Sequence, residues 1–347
     1  MNKINAYAAV KAKDPLKPFQ IERRDPGPND VVIDILYCGV CHSDIHQARD
    51  EWGKGAFPMV PGHEIAGTVS KIGSAVSRYK LGDKVGVGCF VDSCRTCGSC
   101  QEGFEQYCEL GANLTYNGRE KNGSPTLGGY STQIVVDEQF VLRIPDNLPL
   151  DKAAPLLCAG ITTYSPLRHW KIKSGDKVAV VGLGGLGHMA VKLAAAMGAE
   201  VTVLSTSDRK KEDALRFGAK HFINTSDRSI FKKYANHFDF MLNTAAGNID
   251  LSAYLGLINR DKTMVLVGIP EDQLSIAPAA LIMKRKQLAG SLIGGIKETQ
   301  EMLDFCGKHD ITSEIELIPI EKINEAYDRV VKGDVRYRFV IDNGTLK

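Results

Sequence analysis

Residues 176–208 read DKVAVVGLGGLGHMAVKLAAAMGAEVTVLSTSD, and this stretch decides the fold of the second half of the chain. An apolar run ends at Val181, and Gly182, Gly184 and Gly187 follow it at the G-x-G-x-x-G spacing. A helix-like segment and a second apolar run, EVTVL, come next. The order strand, glycine turn, helix and strand is typical of a unit that binds a dinucleotide at the helix N-terminus.

The glycines of this motif each have a physical reason. The first makes a tight turn, the second lets the backbone approach the pyrophosphate, and the third lets the helix pack close to the strand. A plain glycine turn is the alternative, but the strand–turn–helix context favours binding. The residues predicted to contact the cofactor here are Gly182, Gly184, Gly185, Leu186 and Gly187.

The end of the second strand indicates which nicotinamide cofactor is used. NAD-binding units usually carry an acid at this point, to hold the ribose 2′-OH. Here the segment 205–211 reads STSDRKK, with three small hydroxyl side chains and three cations. That mixture suits the 2′-phosphate of NADP, although Asp208 remains open as a displaced NAD-type acid or as part of an exposed helix start. The predicted phosphate contacts are Ser205, Thr206, Ser207 and Lys210.

The two halves of the chain differ in pattern near residue 155. Before it, short β-branched runs such as 30–40, 64–73 and 83–90 are separated by glycine and proline, which predicts an irregular, mostly β domain. After it, buried-strand candidates such as FDFMLNTA and TMVLVGI alternate with helical patterns such as RKKEDALRFGA. This alternation predicts a parallel sheet with crossover helices. The predicted fold class is therefore α/β plus β.

Length and charge limit the functions that the chain can have. Its 347 residues suggest two domains, and its net charge of +2 argues against nucleic acid or an acidic membrane surface as a partner. We find no uncharged apolar stretch of about 18 residues, which argues against a membrane span. The first residues, MNKINAYAAVKAKDP, lack the pattern of a secretory signal. We therefore expect a cytoplasmic protein, in which clustered cysteines more often bind metal than form disulfides.

Four of the nine cysteines lie within the segment 94–108, CRTCGSCQEGFEQYC. Spacers of two residues can fold a loop around one tetrahedral ion, and four thiolates leave no position for water. We therefore predict a structural zinc held by Cys94, Cys97, Cys100 and Cys108. An iron–sulfur cluster or four unrelated thiols are the alternatives.

A second group of possible metal ligands is spread along the chain. Cys41, His63 and Cys158 make a set of two thiolates and one imidazole, which leaves a fourth coordination position open, as in a catalytic zinc site. The three residues are far apart in sequence, so buried core cysteines and a core histidine are the ordinary alternative.

Taken together, the motifs resemble those of a known family. CGVCHSDIH, PGHEIAGTV, GDKVGVG, CRTCGSC, PLLCAGITTYSPL, GLGGLGHMAVK and SLIGGIKETQEML occur in that order. Over essentially its whole length, the chain resembles the zinc-dependent medium-chain alcohol dehydrogenases. The similarity is greatest to the cinnamyl alcohol dehydrogenase-like branch and its bacterial aldehyde reductases. The resemblance implies a GroES-like catalytic domain formed by 1–154 and 296–347, with a doubly wound Rossmann domain, 155–295, that binds NADP.

The resemblance also implies roles for individual residues. Cys41, His63 and Cys158 would bind the catalytic zinc, with Glu64 as a transient ligand and Asp44 orienting the histidine. The four-cysteine loop would hold a structural zinc, which makes two zinc ions per chain.

A proton relay is implied as well, in which Ser43 bonds the substrate oxygen and His46 passes the proton to solvent. A helix cap and a surface histidine are the ordinary alternatives for these two residues. The resemblance further implies that His42, Thr162 and Arg338 contact the cofactor. Trp52 and Phe90 would line the substrate pocket, and for both of them a place in the core is an equal alternative.

The activity implied by the resemblance is hydride transfer between NADP(H) and primary alcohols or aldehydes, with flat or apolar aldehydes such as cinnamaldehyde or benzaldehyde expected as substrates. The alternatives are a polyol or other medium-chain dehydrogenase, and a non-catalytic sensor that binds zinc and NADP. The family also suggests a homodimer formed through the sheet edge near SLIGG.

Overall fold

Residues 2–120, 122–270 and 273–346 are described by the structure, which is a computed structural model. The strands, in chain order, are β1 Asn2–Ala8, β2 Lys17–Arg23, β3 Asp30–Gly39, β4 Ile65–Ile72, β5 Lys84–Val87, β6 Phe90–Asp92, β7 Asn113–Leu114, β8 Gln133–Asp137, β9 Leu142–Arg143, β10 Lys177–Val181, β11 Glu200–Ser205, β12 His221–Asn224, β13 Phe238–Asn243, β14 Ile258–Leu266, β15 Gln287–Gly290, β16 Ile315–Pro319 and β17 Arg338–Asp342.

The α-helices, in chain order, are α1 His42–Ala48, α2 Gly98–Gln101, α3 Leu150–Ala153, α4 Ala159–His169, α5 Gly187–Ala196, α6 Lys211–Arg216, α7 Ile230–Lys233, α8 Leu251–Leu257, α9 Ala279–Ile282, α10 Ile296–Lys308 and α11 Ile323–Val331. Within the described part of the chain, none of these helices combines the length and the apolar character that a membrane span requires.

The chain divides into two compact units. One comprises Met1–Ile161 with Gly294–Lys347, and the other comprises Thr162–Ile293. The first boundary predicted from the sequence, at residue 154, lies before Ile161. The segment that follows that boundary is a buried 3-10 turn, Ala154–Leu157, which packs against β3, β4, β5 and β17 of the first unit. Its apolar residues therefore belong with the first unit, which a change of sequence pattern alone does not reveal.

The second unit is built on one parallel sheet. Its strand order is β12-β11-β10-β13-β14-β15, and every neighbouring pair is parallel. Numbered from β10, this is the order 3-2-1-4-5-6 of a Rossmann sheet, with the crossover reversing direction next to β10. Residues 178–180 are fully buried, as expected when helices cover both faces of a parallel sheet.

The glycine turn between β10 and α5 has the geometry that the sequence predicted. Gly182 has φ +86°, in the left-handed region that glycine tolerates best. A Cβ atom on Gly187 would collide with the carbonyl oxygen of Gly182, so the helix could not approach the strand. A Cβ atom on Gly184 would meet nothing within 4 Å, which leaves room beside the backbone for a ligand.

The first unit contains the irregular β structure. β3 lies near the centre of the largest sheet, whose order is β16-β17-β3-β4-β5-β9, with β8 also paired to β3. The segments predicted as strands at 30–40, 64–73 and 83–90 form β3, β4 and β5. The hairpin of β1 and β2 was not predicted. Because β17 pairs with β3, a late segment of the chain returns to the sheet that the first half of the chain builds, while β1 and β2 form a sheet of their own.

The core of the second unit provides a test of its packing. Leu255 on α8 is fully buried in a cluster with Met241, Phe238 and Met264, whereas Leu215 on α6 is 45% exposed. We expect Leu255→Ala to lower the free energy of unfolding by about 2–5 kcal/mol, because it removes buried methyl groups and leaves a cavity. Leu215→Ala is the matched control, with an expected change within about 0.5 kcal/mol. Urea unfolding followed by circular dichroism measures both, and equal effects would contradict the packing described here.

Candidate active site and metal centres

The four clustered cysteines converge in the first unit, around α2 and a 3-10 turn at Glu105–Tyr107. Their sulfur atoms lie within 4.8 Å of one another, and those of Cys94 and Cys100 are 3.8 Å apart. A tetrahedral zinc with sulfur at about 2.3 Å requires sulfurs about 3.8 Å apart. All the cysteines of the chain are free thiols, so no disulfide competes for these sulfurs. The donor set fits a zinc ion with four thiolate ligands.

Backbone amides prepare this loop for a metal. The Cys97 amide donates to the Cys94 sulfur at 3.3 Å, and the Cys94 amide donates to the Cys108 sulfur at 3.4 Å. The amides of Thr96 and Cys97 lower the pKa of the Cys94 thiol to about 6. Cys94 is therefore largely a thiolate at neutral pH, which is the form that binds metals.

The second cluster assembles where two neighbouring strands meet at one edge of the sheet. Cys41 follows the end of β3, and His63 and Glu64 directly precede β4. Because β3 and β4 are antiparallel, with Cys38 opposite Ile65, these residues lie at the same end of the pair. Cys158, which precedes α4, completes the group.

The donor atoms of this second cluster are close together and buried. Those of Cys41, His63, Glu64 and Cys158 all lie within 4.8 Å of one another. The Cys41 and Cys158 sulfurs are 3.8 Å apart, again the separation of two thiolates on one tetrahedral zinc. The structure thus brings together the residues that the sequence analysis named, and they could hold one ion.

Asp44 orients the histidine of this cluster. Its carboxylate is fully buried on α1, and its Oδ1 accepts from His63 Nδ1 at 3.0 Å and from the Gly62 amide at 3.1 Å. Its Oδ2 accepts from the Cys41 amide at 2.8 Å and from the Tyr130 hydroxyl at 3.3 Å. Burial lowers the pKa of His63, but the charge of Asp44 more than compensates and the pKa is raised. The hydrogen bond to Asp44 favours a proton on Nδ1, so Nε2 is the ring nitrogen that would bind a metal.

Glu64 is paired with Arg338 of β17. Both side chains are buried, and Arg338 Nη2 donates to Glu64 Oε1. The other carboxylate oxygen, Oε2, has no hydrogen-bond partner among the described residues, although it is buried. An unsatisfied carboxylate oxygen beside two thiols and an imidazole indicates room for a cation at this point. Arg338 is predicted from the family resemblance to contact the cofactor, and its pairing with Glu64 is not expected from the sequence.

The two relay candidates lie on α1. Ser43 and His46 are half-buried and three residues apart, so they lie on the same face of the helix. His46 Nδ1 is hydrogen-bonded to the carboxylate of Glu51, which the sequence analysis missed. The turn after α1 creates this contact, since Asp50 has φ +55° and the Glu51 amide donates to the His46 carbonyl.

Aromatic rings surround His46 on both sides. The His42 ring stacks on it at 4.9 Å between centroids, and the Trp52 ring stacks at 4.9 Å as well. Trp52 is 45% exposed, so it is available to a ligand. Phe90, the other predicted pocket residue, is buried and meets Phe140 edge-on at 6.0 Å. Its observed contacts are those of a core residue.

The predicted cofactor residues of the second unit lie at the carboxyl edge of its sheet. Ser205 ends β11, and its hydroxyl donates to the Ser207 carbonyl at 3.2 Å. Lys210 Nζ donates to the carbonyl of Leu183 in the glycine turn at 3.0 Å. A hydrogen bond thus joins the hydroxyl-rich segment to the glycine motif. Thr162 is buried on α4.

Two family descriptions match the chain. One, "Alcohol dehydrogenase GroES-like domain", matches residues 27–146, and the other, "Zinc-binding dehydrogenase", matches residues 185–308. An NADP-dependent alcohol dehydrogenase C of Mycobacterium bovis is 60% identical over 346 residues, which is 100% of both chains. The chain belongs to the zinc-dependent medium-chain alcohol dehydrogenases.

Other relatives indicate the branch of this family. Aldehyde reductase YahK of Escherichia coli strain K12 is 54% identical over 347 residues, with 99% of both chains covered. A solved cinnamyl alcohol dehydrogenase of Sorghum bicolor has a TM-score of 0.96 and 44% identity, and the match covers 100% of this chain and 99% of that one. The expected branch and fold class, a GroES-like domain with a Rossmann domain, are confirmed.

One further thiol of this alcohol dehydrogenase was missed by sequence reasoning. Cys89, between β5 and β6, lies near His63, and a thiol–thiol hydrogen bond with Cys158 lowers the pKa of Cys89. Its sulfur is 3.9 Å from the Leu157 carbonyl. Only its place next to the buried strand β5 could have suggested this proximity, since it belongs to no spaced motif.

Asp44 provides a test of the second metal cluster. We expect Asp44→Asn to speed zinc release from Cys41, His63 and Cys158 by about 10–100-fold, because the imidazole loses the carboxylate that fixes it. The zinc in the four-cysteine loop should be released at an unchanged rate. A chromogenic chelator added to the zinc-loaded protein measures both phases.

The control for this experiment is Asp34→Asn, which changes an exposed carboxylate that binds Ser70 and Gln133. If the Asp44 and Asp34 variants released zinc at the same rates, Asp44 would have no part in holding the metal.

Proposed function

We propose that this alcohol dehydrogenase uses NADP(H) and two zinc ions, and that it interconverts primary alcohols and aldehydes, with aromatic or apolar aldehydes such as cinnamaldehyde and benzaldehyde as substrates. The observation that carries the proposal is the buried cluster of Cys41, His63, Glu64 and Cys158 next to Ser43 and His46 in one unit. The names of two relatives, an NADP-dependent alcohol dehydrogenase and an aldehyde reductase, support it.

The donor sets suit two different zinc sites. Cys94, Cys97, Cys100 and Cys108 would hold a closed structural ion, and Cys41, His63 and Cys158 would hold the catalytic one, with Glu64 beside it. When bound, the catalytic zinc supplies Lewis-acid polarisation of the substrate oxygen and NADPH supplies the hydride. The side chains of the protein would hold the metal and the cofactor, orient the substrate and deliver the proton.

The cofactor is assigned to residues at the glycine turn and at the end of β11. Backbone groups of the turn would bind the pyrophosphate at the N-terminus of α5. The hydroxyl groups and the lysine would bind the 2′-phosphate through charge-assisted hydrogen bonds. The assigned residues are Gly182, Gly184, Gly185, Leu186, Gly187, Ser205, Thr206, Ser207 and Lys210, with His42, Thr162 and Arg338 as further contacts.

Aldehyde reduction consumes one hydride and one proton, so the protein must deliver the proton. The Ser43 hydroxyl would donate it to the substrate oxygen, and His46 would replace it from solvent. Glu51 accepts from His46 Nδ1, and the His42 and Trp52 rings stack on its imidazole. These contacts hold the ring in one orientation, which a proton carrier needs.

Replacing the hydroxyl tests this relay. We expect Ser43→Ala to lower kcat by about 10²–10⁴-fold, because the substrate oxygen loses its proton donor. Zinc content, measured by elemental analysis, should stay at two ions per chain. Ser43→Thr, which keeps a hydroxyl, is the matched control and should retain most of the activity. Full activity in the alanine variant would remove Ser43 from the mechanism.

The cofactor and substrate assignment has its own experiment. We expect kcat/KM for NADPH to exceed that for NADH by about 100-fold with benzaldehyde or cinnamaldehyde, since NADH lacks the phosphate that the hydroxyl groups and Lys210 would bind. Consumption of the reduced cofactor at 340 nm measures both. A chelator that strips the catalytic zinc should abolish the reaction. Equal use of the two cofactors, or oxidation of polyols without aldehyde reduction, would overturn the assignment.

Assembly and compartment are also proposed. The outer edge of β15 is the end of the parallel sheet, and the exposed apolar residues Ile282, Met283 and Leu292 lie near it in sequence. This edge supports a homodimer formed between copies of the Rossmann unit. The free thiols of both metal clusters support a cytoplasmic location, where cysteines remain reduced.

A further inference from the structure

The ends of two neighbouring strands in the second unit are connected by side chains. Ser205 at the end of β11 lies opposite Asn224 at the end of β12 in their parallel register. Beyond this point, Asn224 Nδ2 donates to Asp208 Oδ2 at 3.0 Å. The acid that interrupts the hydroxyl-rich segment is therefore held by the next strand.

The orientation of the Asn224 amide is determined by its surroundings. Its Oδ1 accepts from the Ser226 backbone amide at 3.0 Å, and only an oxygen can accept there. The nitrogen must then face Asp208, where only a donor is useful to an ionised carboxylate. Asn224 therefore donates through its amide nitrogen and accepts through its amide oxygen at the same time. Neither Asp nor Leu could make the same pair of bonds.

Further bonds keep the two segments in place. The Thr225 amide donates to the Ser205 carbonyl at 2.8 Å, and the Ser226 hydroxyl donates to the Thr206 carbonyl at 2.7 Å. The backbone that carries the proposed phosphate contacts is thus tied to the end of β12. Asn224 adds a bond that fixes a charged side chain, that of Asp208, rather than the backbone.

A free Asp208 would disturb NADP binding in two ways. A carboxylate near the end of β11 repels a 2′-phosphate, and it can accept hydrogen bonds from an unmodified ribose as the NAD-type acid does. A hydrogen bond that holds the Asp208 carboxylate at the end of β12 reduces both the repulsion of the phosphate and the binding of the unmodified ribose. Asp208 is exposed, so only a specific partner can restrict its side chain.

We infer that Asn224 is a specificity-determining residue: its amide holds the Asp208 carboxylate at the end of β12, and this favours a 2′-phosphorylated nicotinamide cofactor over the unphosphorylated one. The inference rests on the proposed use of NADP. Asn224 acts through Asp208 and is a positioning residue, not a catalytic one.

A double-mutant cycle tests this inference. Asn224→Ala should lower the ratio of kcat/KM for NADPH to that for NADH by about 3–10-fold, mostly through a higher KM for NADPH with kcat little changed. Asp208→Asn should keep or raise the ratio of the unaltered enzyme. Asn224→Ala combined with Asp208→Asn should restore the ratio, because no carboxylate is left to restrain. Titration calorimetry with NADP⁺ and NAD⁺ should give the same pattern in Kd.

The matched control is Asn147→Ala. Asn147 also donates from its amide to an aspartate, with Nδ2 2.8 Å from Asp310 Oδ1, but it belongs to the first unit. This variant should leave the cofactor ratio unchanged. A general effect of losing a surface amide would appear in both alanine variants and would count against the inference.

The outcomes separate this inference from the proposed function. If the unaltered enzyme prefers NADPH and Asn224→Ala leaves the ratio within about twofold, Asn224 does not determine specificity. A fall in the ratio that Asp208→Asn fails to rescue would show that Asn224 acts without Asp208, which also overturns the inference. If the unaltered enzyme uses both cofactors equally, the NADP assignment itself is wrong and the inference falls with it.

Discussion

The hydrogen bond between Asp44 and His63 is the interaction on which the candidate active site depends. A fully buried carboxylate is destabilising unless donors surround it, and Asp44 has four of them. They come from three separate segments: the start of α1, the loop before β4 and the segment before β8. Each segment is positioned by the sheet around β3. Because these three segments all donate to Asp44, the fold of the first unit fixes the orientation of the His63 imidazole.

The same constraint explains why the site needs a larger network than its metal ligands. The Tyr130 hydroxyl that donates to Asp44 itself lies 3.5 Å from the Tyr327 hydroxyl on α11. The late segment of the chain thus contributes to the environment of His63 even though it carries no ligand. Arg338, also from that late segment, neutralises Glu64. The first unit combines two distant stretches of sequence, and both stretches contribute side chains around this one buried cluster.

Sequence reasoning succeeded where the relevant contacts are local. The glycine turn after β10 and the four-cysteine loop each depend on residues within about one supersecondary unit, so their spacing carries the information. Cys41, His63 and Cys158 form a possible ligand set by residue type alone, and the family resemblance was needed to favour a metal site over ordinary core residues. The three side chains come together because β3 pairs with β4 and because a buried turn precedes Cys158. The spacing of residues in the sequence predicts neither feature.

The residues that sequence reasoning missed share a physical feature. Glu51, Tyr130, Asn224 and Cys89 act through partners that only the folded chain brings near. Glu51 is five residues from His46, but the contact requires the left-handed conformation of Asp50. Asn224 meets Asp208 because β11 and β12 are neighbours in the sheet. These partners determine how the residues identified by motifs are oriented. No short sequence pattern predicts such contacts, because they form only when the chain folds.

Charge balance explains why the buried cluster is suited to a divalent ion. In their anionic forms Cys41, Cys158, Glu64 and Asp44 bring four negative charges, and Arg338 compensates for one of them. Without a cation, bound protons offset part of the remaining charge: the hydrogen bond between the two thiols lowers the pKa of Cys41 and raises that of Cys158, so one sulfur keeps its proton. A divalent ion in place of that proton would leave one net negative charge among the groups counted here. An ion held there would give a substrate oxygen a positive centre to bind, with little uncompensated buried charge left around it.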